Sequence, residues 1–361
     1  MKKLLSNNRI NGFIFVIAMW LFSRLLIVAA MKFLAPLVPR FVIQLDPHPV
    51  PGLTPTFGWD TFSHWDGGGY LEIATLGYDN VDDPQPHNIV WFPLFPLVIY
   101  GVMTLGFPPE VAGILVNNLA FLGALGLLYS WVEERHNLSA ARWATAVLAW
   151  SPLSLFGTVI YTEGLFLLLT TAALRAFDKR QHARAALWGA MATATRVTGA
   201  ALVPAFLLVA WREQRPAIAY AAGLAASGGL VLFSIYCAIR YGYPLAFVHS
   251  QQWWLDNSTV LIGLRRFINI VMILGSGYLL WRLSTKLSRV AVAYGFSTLA
   301  LIIISKALTS VNRFLYGNVS LSLALGVLLA RYPRWGYLII GIFAILLVVF
   351  SIRFSWNLWV A

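Results

Sequence analysis

The stretch that decides the fold runs from Gly58 to Tyr100 and reads GWDTFSHWDGGGYLEIATLGYDNVDDPQPHNIVWFPLFPLVIY. It is a polar island in an otherwise apolar chain. Asp60, Asp66, Glu72, Asp79, Asp82 and Asp83 all lie in it, although the 361 residues include only 14 Asp and Glu. A carboxylate beside a bilayer is costly unless it stays hydrated, finds a partner or does chemistry. The island therefore reads as a loop outside the hydrocarbon region that carries an active site. Within it, Tyr70, Ile73, Ala74 and Gly77 fall on one helical face, so HWDGGGYLEIATLGY is predicted to be helical. Asp66 falls at or just before the start of that helix, where it could serve as a simple N-cap instead. YDNVDDPQP, with Asp79, Asp82 and Asp83, reads as a solvated turn. WDGGGY has the glycines of a phosphate cradle but no buried strand before it, so that reading fails on context.

Outside the island the composition sets the class. The chain is 59% hydrophobic and 11% charged, against about 25% charged in a soluble domain. It is predicted to be an all-α polytopic membrane protein forming a single domain over 1–361. The net charge of +12 comes from short Lys/Arg clusters between apolar segments. That is the positive-inside pattern of a membrane protein and not a nucleic-acid footprint. The single cysteine, Cys237, excludes an internal disulfide and a cysteine metal site, and its apolar surroundings suit packing.

Apolar length places the spans and basic residues orient them. Lys2, Lys3 and Arg9 put the N-terminus in the cytoplasm. The first span, about Asn11 to Leu37, contains Arg24, which must face protein, a headgroup or a cavity. A first outer loop of about 38–109 follows. Its segment WFPLFPLVIYGVMTLGF is interrupted by prolines and followed by no basic residue, so it reads as a helix packed back from outside. The third span, about Trp143 to Ile160, is expected to bend at Ser151-Pro152. The turn YTEG then puts Glu163 on the side of Asp66, and later outer turns add Arg196 and Arg313. A second long outer loop, about 240–266, is rich in aromatics and carries His249 and Gln251. The count comes to about eleven spans, several shorter than the ~20 residues a bilayer needs. Short helices beside a polar outer loop suggest a groove open to lipid on that side.

Acids and bases gathered at such a groove suit a reaction at a phosphate-linked lipid. A guanidinium can hold a phosphate and steady the charge on a leaving phosphate, and a carboxylate can take a proton from an attacking hydroxyl. Asp60, Asp66 and Glu163 together could also hold a divalent cation, Mg or Mn, although the chemistry requires no cofactor.

The pieces FSR (22–24), HWDGGGYLEIATLGY (64–78), WFPLFPL (91–97), SPLSLFGTVIYTEGLF (151–166), TRVTG (195–199), YPLAFVHSQQWW (243–254) and NRF (312–314) cover most of the chain. In that order they resemble the PIG-V family of membrane mannosyltransferases, of the GT-C class. The resemblance implies a GT-C-type fold and a polyprenyl- or dolichyl-phosphate sugar as donor. It makes Asp66 the general base, with His64, Trp65 and Tyr70 in its motif. Glu163, Arg196, His249, Gln251 and Asp60 would be supporting residues, and Arg313 would lie near the donor phosphate. Relatives usually carry Pro before that arginine and Tyr after it, where this chain has Asn312 and Phe314. The expected reaction is inverting transfer to a glycolipid or glycan on the non-cytoplasmic face of a prokaryotic plasma membrane, by a monomer. The same chemistry on another sugar is an alternative, and so is a transporter or flippase of a lipid-linked sugar. A transporter would place polar groups at the bilayer midplane and show inverted repeats.

Overall fold

Every regular element among the residues that the computed structural model describes, 2–38, 57–79, 88–256, 263–305 and 310–360, is a helix. The first, α1 (Lys2–Ala29), continues through a π turn at Ala30–Leu34 and a 3-10 turn at Ala35–Leu37. Next come α2 (Asp66–Leu76), α3 (Leu94–Met103), α4 (Pro109–Arg135), α5 (Leu138–Trp150), α6 (Glu163–Asp178) and α7 (His182–Thr195). They are followed by α8 (Leu202–Arg212), α9 (Ala217–Ala225), α10 (Gly228–Tyr241), α11 (Ala246–Asp256) and α12 (Gly263–Leu283). The chain closes with α13 (Arg289–Ser305), α14 (Val311–Tyr316), α15 (Val319–Leu329) and α16 (Pro333–Ser355). Asp82 and Asp83 lie outside the described residues, as does much of the first outer loop.

Among the described residues, three helices are long and apolar enough to cross a membrane: Ile10–Leu37, Pro109–Arg135 and Pro333–Ser355. The pair α9 and α10, bent by 43°, would make a fourth. Their outward faces carry exposed Phe13, Leu25, Leu232 and Ile345, surface that a soluble protein would bury. The other apolar elements are shorter than the eleven-span expectation assumed. α3, with 10 residues, is about 15 Å long, half of a ~30 Å hydrocarbon core. It packs against α2 and α4, in line with the packed-back reading of that segment.

Local chemistry sets the helix ends. Pro109 opens α4, with Glu110 in the first turn and Arg135 in the last, each charge complementing the helix dipole. Asn137 caps α5, its Oδ1 accepting from Ala140 N at 2.8 Å. α5 does not bend through Ser151-Pro152; it ends at Trp150 and a 3-10 turn, Pro152–Gly157, takes over. Proline has no N–H and forces Ser151 to an extended ψ of 141°. The exposed carbonyls at this broken end find side chains from distant helices. Tyr316 Oη donates to Leu148 O at 3.1 Å, and Arg24 Nη2 to Ala149 O at 3.4 Å. Arg24 is buried under Phe121, 4.5 Å from its ring centre, and packs in the core away from the Asp66 cluster described below.

The centre of the bundle is α4 parallel to α6. At one end, buried Asn117 donates to Phe156 O and Val159 O at 2.7 and 2.6 Å and accepts from Gly164 N at 2.8 Å. The backbones approach so closely that a Cβ on Gly164 would lie 2.3 Å from Asn117 O. At the other end, Asp178 accepts from Trp131 Nε1 at 2.9 Å and Arg135 Nε at 2.8 Å. Glu134 pairs there with Arg175 and Lys179. One end of the bundle thus gathers the Lys/Arg-rich turns, and the opposite end receives Glu163.

Candidate active site

The site begins at a tight turn. Gly67 N donates to His64 O at 3.2 Å, and Trp65 between them has φ 58° and ψ −126°. That is a conformation glycine usually supplies, and holding tryptophan there costs on the order of 1–3 kcal/mol. The turn delivers Asp66 as the first residue of α2, with Trp65 in the cap position and no side-chain cap bond. The N-cap reading of Asp66 therefore gives way, because its carboxylate is engaged elsewhere. α2 buries Tyr70, Ile73 and Ala74 on the face the periodicity indicated. Tyr70 stands edge-on to Phe95, and burial pushes its phenol above the usual tyrosine range. Gly69 serves close packing, since a Cβ there would lie 2.4 Å from the Trp91 ring.

Three further elements bring charge to Asp66. Glu163 opens α6, held by the Asn117 clamp. Arg196 sits in the extended break between α7 and a 3-10 turn, Val197–Ala201. Arg313 lies on α14. Arg313 Nη1 donates to Asp66 Oδ2 at 2.8 Å, and Arg313 Nε lies 2.7 Å from Glu163 Oε1. Arg196 Nη1 donates to the same Glu163 oxygen in a short hydrogen bond. The order is Asp66, Arg313, Glu163, Arg196, alternating in sign and neutral in sum. Glu163 is 0% exposed and both arginines 8%, whereas the Asp66 side chain is 28% exposed. Aromatic rings cover the guanidinium faces: Tyr161 lies 4.9 Å from Arg313, and Phe166 and Phe314 lie 5.6 and 5.7 Å from Arg196. Phe314, at the position where relatives carry tyrosine, is therefore part of the Arg196 wall. Asn312, in place of proline, accepts the Arg313 backbone N–H at 2.8 Å.

The remaining expected residues divide. His64 Nδ1 lies 2.8 Å from Phe354 O, so the ring donates there and leaves Nε2 as an acceptor when neutral. Burial holds its pKa below the usual histidine value, with the Phe354 carbonyl and Asp60 opposing. Asp60 does not join Asp66 and Glu163. It sits on the turn Trp59–Phe62, in the field of Lys32. Among the described residues, no three His, Cys, Asp or Glu gather as a metal would need, and a guanidinium bridges Asp66 and Glu163. The expected Asp60, Asp66 and Glu163 set is thus split, because Lys32 draws Asp60 away. His249 and Gln251 lie on α11, which packs on a satellite cluster with Phe233 and Phe247. No contact among the described residues joins them to Asp66.

Two features of the site were not read from the sequence. Lys32, in the π turn, donates to Gly58 O at 2.5 Å and Thr61 Oγ1 at 3.2 Å, pinning the loop that leads to His64. Its signal was a lysine at the outer end of the first span, against the positive-inside trend. Lys32→Met is expected to lower stability by about 1–3 kcal/mol by leaving the Gly58 carbonyl unpaired. Thermal melting of the purified protein checks this, with Lys32→Arg recovering most of the loss. The second feature is the segment after α16. Trp359 stands edge-on to Trp65 at 5.1 Å. With Val360 and Phe354 it closes a small pocket over Arg313 and Tyr161. Its sequence separation from the island left no local trace.

The family model described as Mannosyltransferase (PIG-V) matches residues 53–213. No curated protein sequence matches the chain. Among solved structures, the fold is similar to that of ArnT from Cupriavidus metallidurans bound to undecaprenyl phosphate, with a TM-score of 0.55 and 15% identity. That match covers 90% of this chain and 62% of ArnT, so the chain spans less than two thirds of the length of that protein. An oligosaccharyltransferase from Archaeoglobus fulgidus, in complex with an inhibitory peptide and a dolichol-phosphate, gives a TM-score of 0.43 at 13% identity. It covers 95% of this chain and 55% of its own. At 15% identity the likeness to ArnT is one of fold. Residues 53–213, which carry Asp66, Glu163 and Arg196, match the mannosyltransferase (PIG-V) family, the family that the sequence motifs indicated, on a helical fold shared with ArnT.

Proposed function

We propose that the chain is a membrane glycosyltransferase that moves a mannosyl residue from a polyprenyl-phosphate donor to a glycolipid or glycan acceptor. The observation that carries this reading is the partly exposed Asp66 carboxylate held 2.8 Å from Arg313, whose guanidinium lines the adjacent aromatic pocket. The family match and the polyprenyl phosphate bound to ArnT support it.

In the proposed reaction the acceptor hydroxyl attacks the anomeric carbon from the face opposite the phosphate. The new C–O bond forms as the bond to phosphate oxygen breaks. The hydroxyl proton passes to Asp66, on the oxygen that does not bind Arg313. The lipid phosphate leaves as an anion, so no second acid is needed, and the configuration inverts. Arg313 holds the leaving phosphate and, in doing so, loosens its grip on Asp66, which makes the carboxylate a better base once the donor is bound. Glu163 is too deeply buried to meet the acceptor; it keeps both arginines charged and aimed. Trp65, Phe156, Tyr161 and Trp359 offer faces on which a sugar can stack. The pocket between them is about 10 Å3, room for about one water, so a donor must displace Trp359 and Val360. The site lies at the end of the bundle remote from the Lys/Arg-rich turns, which supports a non-cytoplasmic site with the N-terminus in the cytoplasm.

The test is transfer of labelled mannose by the purified protein in lipid. Polyprenyl-phosphate mannose is expected to serve as donor and GDP-mannose not. Excess EDTA is expected to leave the rate within about twofold, since a guanidinium rather than a metal neutralises the leaving phosphate. Transfer from GDP-mannose alone sinks the donor assignment, and loss of activity in EDTA that added Mg or Mn restores sinks the metal-free mechanism.

A further inference from the structure

At the Lys/Arg-rich end of the bundle a pocket of about 320 Å3 opens where three segments converge: the α4–α5 turn, the α12–α13 turn and the end of α15. Its polar lining is His136, Asn137, Lys286 and Arg331, over Val327 and Ala330. No carboxylate lines it. Of the acids at this end of the bundle, Asp178 is engaged with Arg135, Glu134 with Arg175 and Lys179, and Glu213 with Arg215 and Arg289. Among the described residues, neither Lys286 nor Arg331 has an acidic partner. Partial burial, then Arg331 and Arg282, hold the Lys286 ammonium below the usual lysine range. An anion between these cations would relieve that repulsion. Asn137 spends its Oδ1 on the α5 cap, which leaves its amide N–H groups to donate.

Depth along the bundle identifies the anion. Asn117 on α4 binds Gly164, next to Glu163, and so marks the level of the candidate active site. His136 follows it by about 19 residues, or roughly 28 Å of helix, close to the ~30 Å thickness of a hydrocarbon core. With the active site at one interface, the pocket lies at headgroup depth in the opposite leaflet.

We propose that this pocket binds a phosphate group, supplied by the headgroup of an anionic phospholipid of the cytoplasmic leaflet. Lys286 and Arg331 neutralise the phosphate, Asn137 and His136 donate to its oxygens, and Val327 and Ala330 meet the glycerol backbone. This assignment rests on the proposed placement of the active site at the outer interface, but not on the sugar donor or the transfer reaction.

Native mass spectrometry of the purified full chain tests it, with phosphatidylglycerol, phosphatidylcholine and inorganic phosphate as probes. Phosphatidylglycerol is expected to bind in preference to phosphatidylcholine, and the Lys286→Gln/Arg331→Gln double variant to bind it at least about tenfold more weakly. Melting of the variant in phosphatidylcholine alone, unchanged from the parent chain, shows that it folds. If millimolar inorganic phosphate leaves phosphatidylglycerol binding intact, the headgroup is the ligand. If it displaces the lipid, the pocket is a phosphate site with a soluble source, and the lipid assignment is overturned. Equal binding of the two lipids, or undiminished phosphatidylglycerol binding by the double variant, overturns the proposal altogether.

Discussion

Asp66→Asn is expected to lower the rate of sugar transfer by about 10²–10⁴-fold while the protein still folds. Asparagine keeps the size of the side chain and an oxygen that can accept from Arg313 Nη1, now 2.8 Å from Asp66 Oδ2. What it removes is the proton acceptor. The lost charge costs little stability, about 1 kcal/mol or less, because the Asp66 side chain is 28% exposed and water screens the pair. A loss of rate without a matching loss of melting temperature therefore separates chemistry from structure. Asp66→Glu keeps the base but displaces it by a methylene, and is expected to fall between the two. Asp60→Asn is the control. That carboxylate is exposed on a turn beside Lys32 and stands apart from the Asp66 cluster, so transfer by this variant is expected to stay within a few-fold of the parent chain. Full activity of Asp66→Asn would show that the proton goes elsewhere. The next acceptor to examine would be His64, whose Nε2 is free to accept while Nδ1 is bound to Phe354 O.

Asp66, Glu163, Arg196 and Arg313 were legible in the sequence for a physical reason. In a chain that is 11% charged, an ionisable residue outside the basic clusters must be compensated, and these four compensate one another. The positions that the sequence placed less well share a different cause. Asp60 lies in the same island as Asp66, yet its surroundings are set by Lys32, far upstream. The expected divalent set added Glu163 through the topology, but it joined Asp60 to Asp66 only because they are neighbours in sequence. The third span was drawn through Ser151-Pro152 because the apolar run continues beyond it. The helix nonetheless stops there, because Arg24 and Tyr316 are available to pair its last carbonyls. Apolar length alone cannot distinguish a span from a shorter helix whose ends are satisfied by neighbours. That is why only three or four clear spans stand out among the described residues. The contribution of Phe354 and Trp359 to the His64 and Trp65 turn is purely tertiary, and no local pattern encodes it.

Glu163→Gln is expected to carry the largest stability loss of any substitution at the site, about 3–5 kcal/mol. Glu163 is completely buried, and its Oε1 alone meets both Arg196 Nη1 and Arg313 Nε. Glutamine retains one acceptor of similar shape but no charge, so two buried guanidinium groups are left with Asp66, which touches only one of them. Ring faces cannot make up the difference, since those contacts are already made in the parent chain. Melting of the purified variant measures the loss. A second variant identifies its cause. Breaking a buried pair costs more than removing it, because the surviving charge keeps its desolvation penalty without its partner. Glu163→Gln/Arg196→Gln is therefore expected to recover part of the stability lost in Glu163→Gln, giving a coupling between the two sites of about 1–3 kcal/mol. Activity is not expected to return with stability, because Arg313 remains detached from the carboxylate that aims it at Asp66. Additive losses in the double variant would mean that Glu163 and Arg196 do not act as a pair in the folded protein, and the alternating four-residue arrangement would fail with them.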